Sequence, residues 1–136
     1  MRVLVDTSAW VDFFNGHPSP EAEALTRLIR EEADVLTCGV VVAEVLQGLK
    51  KPKTLNQIEQ HFLDMEWLSP LEPATYMEAA SLYRLLRSKG VTIRSTTDCI
   101  IAKLAAENDV LILSKDRDLR LIIESGLLDV RALPIA

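Results

Sequence analysis

Short apolar runs rich in branched residues alternate with amphipathic stretches along this whole 136-residue chain. The runs are typical of buried β-strands, and the stretches between them have the spacing of helices with one apolar face. The predicted strands are residues 2–6, 35–37, 66–68 and 110–113, with a last short strand within 128–133. The predicted helices are residues 8–15, 21–32, 40–49, 54–63, 74–89, 97–108 and 117–124. This alternation predicts an α/β fold with a central parallel β-sheet of about five short strands flanked by helices.

Two of the helix predictions depend on particular residues. The stretch 40–49 is assigned as a helix, although Val40, Val41 and Val42 would also suit a strand. The helix over 74–89 should end at Gly90, because glycine is common just past a helix C-terminus.

The length of the chain and the lack of a linker-like segment predict one domain over residues 1–136. A hydrophobic content of 49% is enough for a sizeable core. Apolar stretches long enough to span a bilayer are absent from the sequence, and its start lacks the pattern of a signal peptide. We therefore expect a cytoplasmic protein that does not enter a membrane.

Cysteine, histidine and net charge exclude several kinds of site. Cys38 and Cys99 each stand alone, as do His17 and His61, so buried reduced thiols are expected and a zinc site is not. The net charge of −5 argues against a protein that wraps nucleic acid by bulk charge. It is compatible with a local basic rim beside an acidic site.

Four acidic residues occupy positions that are unusual for acids. Asp6 and Asp116 follow predicted strands, Asp98 opens a predicted helix, and Glu44 interrupts an apolar run. The carboxyl ends of parallel strands meet at one edge of a sheet, so Asp6 and Asp116 should lie at the same edge. Several carboxylates in one crevice suit a divalent cation, and such a cation can promote phosphodiester cleavage.

Each of these acids also has a purely structural interpretation. Asp6 and Asp116 could cap the helices that follow them, and Asp98 would be favourable near a helix N-terminus in any case. Glu44 could belong to a polar stripe of its helix, and that stripe could be a solvated face or the wall of a cleft. The pattern of residues alone leaves both interpretations open.

Four segments in order make the chain resemble the PIN-domain nucleases. They are Val3-Leu4-Val5-Asp6-Thr7-Ser8, Val42-Ala43-Glu44-Val45, Thr97-Asp98-Cys99-Ile100-Ile101-Ala102 and Leu113-Ser114-Lys115-Asp116-Arg117-Asp118-Leu119. At this length the chain is most similar to the toxin of a VapBC-type toxin–antitoxin pair. The resemblance covers almost the whole sequence.

This resemblance implies a metal-dependent endoribonuclease with magnesium or manganese as the cofactor. The implied catalytic and metal-binding residues are Asp6, Glu44, Asp98 and Asp116. Thr7 or Ser8 is implied to orient a ligand or water, Ser114 matches a family position beside the site, and Asp118 matches a second acid frequent in the last motif. Oxygen ligands without His or Cys suit these hard cations. The expected reaction is in-line attack of an activated water on the phosphorus of RNA.

Basic residues near the acids are candidate phosphate contacts. Lys50 and Lys51 follow Glu44, and Arg94 precedes Asp98. Each could bind RNA phosphates or belong to an ordinary solvated surface.

The resemblance also implies a small antitoxin that inserts an Arg or Lys into the acidic site. We further expect a homodimer, because the first helix contains three aromatic residues, Trp10, Phe13 and Phe14, which is more than we expect one core to bury. Apolar side chains that stay exposed often mark an interface.

One alternative function is a PIN-fold module that binds RNA or protein without catalysis. A receiver domain is the other alternative, but it needs an Asp after its middle strand, and the region 66–70 has none.

Overall fold

A computed structural model of the chain describes residues 1–49 and 52–135. Its four strands are β1 (Arg2–Val5), β2 (Asp34–Cys38), β3 (Glu66–Leu68) and β4 (Leu111–Leu113). They form one sheet in the order β3-β2-β1-β4, and every neighbouring pair is parallel. The predicted parallel sheet is confirmed.

Helices occupy most of the remaining described chain, as predicted. They are α1 (Thr7–Asn15), α2 (Pro20–Arg30), α3 (Gly39–Gln47), α4 (Pro52–Leu63), α5 (Ala74–Ser88), α6 (Thr96–Asn108) and α7 (Arg117–Ser125). Helix α5 ends two residues before Gly90, whose φ of +83° only glycine adopts without strain. None of the helices in the described ranges is long and apolar enough to cross a membrane.

The predicted fifth strand is reduced to a single bridge between Ile112 and Ala132. Ile112 donates its N–H to Arg131, 3.0 Å away, and accepts from Leu133 at 2.8 Å. Pro134 follows, and because proline has no N–H it cannot extend a ladder. The segment therefore covers the β4 edge of the sheet without becoming a regular strand.

The stretch rich in valine is helical, so its alternative assignment as a strand was wrong. Val41, Val42 and Val45 are buried on one side of α3, whereas Glu44 is exposed. Residues 40–46 do not show a clear helical pattern in the sequence, because α3 is short and Glu44 is the one charged residue on its exposed side within this segment.

An aromatic cluster fixes α1 against the sheet and α4. Trp10 is fully buried; its ring stacks on Phe14 at 5.4 Å and meets Phe62 edge-on at 5.2 Å. Phe13 packs edge-on against Trp10, at 5.9 Å. The first helix therefore belongs to the core of one chain, and its aromatic residues do not support the argument for a dimer.

Candidate metal centre

Asp6 lies where the carboxyl ends of β1 and β4 meet. Its own N–H donates to Leu113 of β4 at 2.9 Å, and its side chain is the N-cap of α1. The carboxylate oxygen Oδ2 accepts from the hydroxyls of Ser8 (3.0 Å) and Ser114 (2.8 Å). Burial raises the pKa of Asp6, and these hydrogen bonds partly oppose that rise. One residue thus caps a helix and contributes a carboxylate to the site.

The two serines connect Asp6 to the loop after β4. Ser8 Oγ accepts from the backbone N–H of Lys115 at 3.0 Å, and Ser114 Oγ accepts from that of Asp116 at 2.9 Å. Asp116 in turn caps α7, because its Oδ1 accepts from the N–H of Asp118 at 2.7 Å. This network holds the ends of two neighbouring strands in a fixed relation.

Glu44 projects from the exposed stripe of α3 toward the same edge of the sheet. Thr7, the first residue of α1, donates its hydroxyl to Glu44 Oε1 at 3.1 Å. Partial burial raises the pKa of Glu44, and the charges of Asp6 and Asp116 raise it further. Glu44 is therefore exposed and also faces the acids.

Asp98 is the acid most affected by its neighbours. It lies in the first turn of α6, whose N-cap is Ser95, so Asp98 is free of a capping role. Burial raises its pKa to about 7, and other acids contribute. Those acids are, in decreasing order of effect, Asp116, Asp6, Asp118 and Glu44. Asp98 lies within electrostatic reach of all of them, so the carboxylates converge on one region.

One group of oxygens in this region is close enough to share a cation. Carboxylate oxygens of Asp98, Asp116 and Asp118 lie within 4.8 Å of one another. Cys38 and Cys99 are nearby in sequence, but burial raises the pKa of each thiol to about 11, which keeps them protonated. The available donors are therefore oxygens, and they fit Mg²⁺ or Mn²⁺ better than zinc.

Of the three candidate phosphate contacts, only Arg94 lies within the residues that the structure describes. Lys50 and Lys51 lie outside the described residues. Arg94 lies in the loop between α5 and α6, and its Nε donates to Asp118 at 2.9 Å. Its Nη2 lies 3.6 Å from Oδ2 of Asp116. The arginine is thus engaged with the acids themselves.

An ion pair that was not predicted from the sequence links the β4–α7 loop to α1. Lys115 Nζ lies 2.7 Å from Oδ2 of Asp12, a residue on the buried side of α1. The sequence contained one signal of this pair: Asp12 is an acidic residue among the aromatic residues of the first helix. Its partner is 103 positions further along the chain, so only the fold could reveal the pairing.

Comparison with known proteins gives a consistent result. The family model described as "PIN domain" matches residues 3–123. Two curated relatives, VapC ribonuclease Mb1587 of Mycobacterium bovis and Ribonuclease VapC11 of Mycobacterium tuberculosis, are each 34% identical over 121 residues, covering 88% of this chain and 90% of the relative.

Solved structures share the fold. VapBC2 from Rickettsia felis, bound to a promoter DNA fragment, superposes with a TM-score of 0.69 at 20% identity, covering 97% of this chain and 98% of the other. VapBC-1 from nontypeable Haemophilus influenzae gives 0.68 at 17% identity, with the same coverage of both chains.

Proposed function

The chain belongs to the PIN-domain family, and from that premise we propose that it is an endoribonuclease, the toxin of a type II toxin–antitoxin pair. Two relatives at 34% identity carry the name of VapC ribonucleases. The two solved structures compared above are VapBC proteins. The substrate in this proposal is RNA in the cytoplasm.

The convergence of uncompensated acids is the observation that carries the proposal. Burial and, after it, the charges of Asp116, Asp6, Asp118 and Glu44 raise the pKa of Asp98 to about 7, so these acids lie close enough to repel one another. Such repulsion lowers stability, and a divalent cation would relieve it. We assign the cation, Mg²⁺ or Mn²⁺, to Asp6, Glu44, Asp98 and Asp116. When bound, it supplies Lewis-acid chemistry, which lowers the pKa of water and offsets charge on the phosphate.

The surrounding residues keep these carboxylates in place. Ser8 and Ser114 hold one oxygen of Asp6, while Thr7 holds one oxygen of Glu44. The hydroxyls reduce the freedom of the carboxylates before any ligand arrives, and such preorganisation lowers the cost of binding and reaction. The RNA backbone would lie across the carboxyl edge of the sheet, with the bond to be cut over the acids.

Of the non-catalytic alternatives, a PIN fold that only binds RNA is disfavoured by the same electrostatics. A surface that merely binds the polyanion RNA would have no use for several unpaired carboxylates, because they repel phosphate.

An RNA cleavage assay tests the proposal. Protein freed of any partner should cut some RNA in total cellular RNA with Mg²⁺ or Mn²⁺, stop with EDTA, and recover when excess cation is restored. Cleavage that EDTA does not diminish, or no cleavage of any RNA with either cation, would contradict the proposed function.

We also propose an inhibitory antitoxin, and we expect it to be a small protein encoded beside this chain. Without a cation, the acidic crevice would accept an Arg or Lys from that partner, because a charged donor pairs strongly with carboxylates. Co-expression of the neighbouring small gene should restore growth that this chain alone arrests. Normal growth with the active chain alone would contradict the toxin assignment.

A further inference from the structure

Arg94 and Asp118 form a pair in which one partner is buried and the other is exposed. The side chain of Asp118 is 3% exposed, whereas that of Arg94 is 74% exposed. Both the backbone N–H and Nε of Arg94 donate to the same oxygen, Oδ2 of Asp118, at 3.0 and 2.9 Å. The buried carboxylate therefore fixes one edge of the guanidinium together with the backbone of its loop.

The terminal nitrogens of Arg94 remain at the surface beside the acid cluster. Nη2 lies 3.6 Å from Oδ2 of Asp116, one of the residues assigned to the metal. The planar guanidinium has five donors, and the edge that carries the terminal nitrogens suits two oxygens of a phosphate. An arginine already anchored through Nε loses less conformational entropy when it binds.

Asp118 differs from the other acids of the site in being hydrogen-bonded directly to a basic side chain. Its Oδ2 accepts from the backbone N–H and from Nε of Arg94, whereas Asp6 and Glu44 accept from hydroxyl groups. The charge of Asp118 is thus already balanced by a residue of its own chain.

We propose that Asp118 is a positioning residue that anchors Arg94, and that Arg94 contacts a phosphate of the RNA beside the metal centre. The inference rests on the proposed ribonuclease function and assigns part of its substrate contact. The competing assignment makes Asp118 a metal ligand, because its oxygens lie close to those of Asp98 and Asp116.

Two measurements on Arg94→Gln, Asp118→Asn and the double variant separate these assignments. The first is calorimetric binding of Mn²⁺ to metal-free protein without RNA. The second is anisotropy of a short fluorescent RNA of mixed sequence, with Ca²⁺ present. Arg87→Gln, which removes one exposed charge at the end of α5, is the matched control. The double variant leaves no buried charge unpaired, so it guards against misfolding.

We expect Arg94→Gln and Asp118→Asn each to weaken RNA binding by roughly tenfold, the scale of one charge-assisted hydrogen bond. The double variant should be no weaker than either single one, because the two residues act as a unit. The dependence of RNA binding on salt should fall by about one phosphate contact. Mn²⁺ affinity should stay within about twofold of the parent, or tighten, since Arg94 no longer competes for Asp116. Arg94→Lys should bind RNA as poorly as Arg94→Gln. A lysine ammonium cannot donate to Asp118 and at the same time offer two parallel N–H groups to a phosphate.

Loss of Mn²⁺ binding in Asp118→Asn, with Arg94→Gln unaffected, would overturn the inference and make Asp118 a ligand. RNA binding unchanged in Arg94→Gln, additive losses in the double variant, or no RNA binding by the parent would also overturn it. Neither measurement requires cleavage. If the parent binds Mn²⁺ and RNA but cuts no RNA, the ribonuclease function is refuted. The binding measurements still decide the roles of Arg94 and Asp118.

Discussion

At the scale of single residues, the acids of the site differ in how much structure depends on them. Asp6 and Asp116 cap α1 and α7, so replacing either disturbs a helix as well as the site. Asp98 caps nothing, because Ser95 does so for α6. Both interpretations offered by the sequence, helix cap and cluster of acids, therefore hold for Asp6 and Asp116.

Asp98→Asn is the cleanest single substitution. It keeps the shape of the side chain and removes a charge from a crowded group of acids, so we expect RNA cleavage to fall at least a hundredfold, on the scale of losing a catalytic electrostatic group. The melting temperature of the metal-free protein should be unchanged or higher, since repulsion is relieved. Cleavage assays and thermal denaturation check this. Parental activity in Asp98→Asn would show that the site lies elsewhere.

The raised pKa of Asp98 predicts how the stability of the metal-free protein depends on pH. The unfolded chain releases the Asp98 proton near pH 4, whereas the folded protein holds it up to about pH 7. The folded state binds more protons across this window, so the free energy of unfolding falls as pH rises from about 4 to about 7. Urea denaturation of the parent and of Asp98→Asn isolates this contribution. A difference between them that does not change with pH would contradict it.

At the scale of elements, the loop between β4 and α7 is held against α1 by Lys115 and Asp12. Lys115→Met should lower the free energy of unfolding by about 1–3 kcal/mol, because it leaves the nearly buried Asp12 carboxylate without its partner. Cleavage should fall too, since the same loop carries Asp116. Adding Asp12→Asn should restore part of the stability. An unchanged urea midpoint in Lys115→Met would mean that the pair contributes nothing.

The elements themselves were largely predictable from the sequence, but the pairings across the fold were not. Periodicity located the four strands and the helices, because buried strands and amphipathic helices differ in their apolar spacing. The predicted strand within 128–133 is only an isolated bridge in the structure. The apolar pattern of a segment does not show how many of its backbone groups form hydrogen bonds with a neighbouring strand. Arg94 was a candidate phosphate contact, with an ordinary solvated surface as the alternative, but its contact with Asp118, 24 positions away, depends on how α6 and α7 pack.

At the scale of the whole molecule, we propose a homodimer on grounds other than the first helix. Large exposed apolar residues occur instead on and before α5, among them Leu71 (62% exposed), Met77 (66%) and Leu85 (45%). Exposed apolar surface often marks an interface. Light scattering at tens of micromolar should give the mass of a dimer, and Met77→Lys with Leu85→Lys should give that of a monomer. A monomeric parent would refute the proposal.

The central claim is that the converging acids form a divalent-metal centre. Calorimetric titration of Mn²⁺ into metal-free protein tests it most directly, because the result does not depend on knowing the RNA. We expect saturable binding to the parent, with proton release that is larger below pH 7 than above it, since Asp98 must lose its proton. Binding to Asp98→Asn should be at least tenfold weaker. No saturable binding to the parent, or equal affinity in Asp98→Asn, would contradict it.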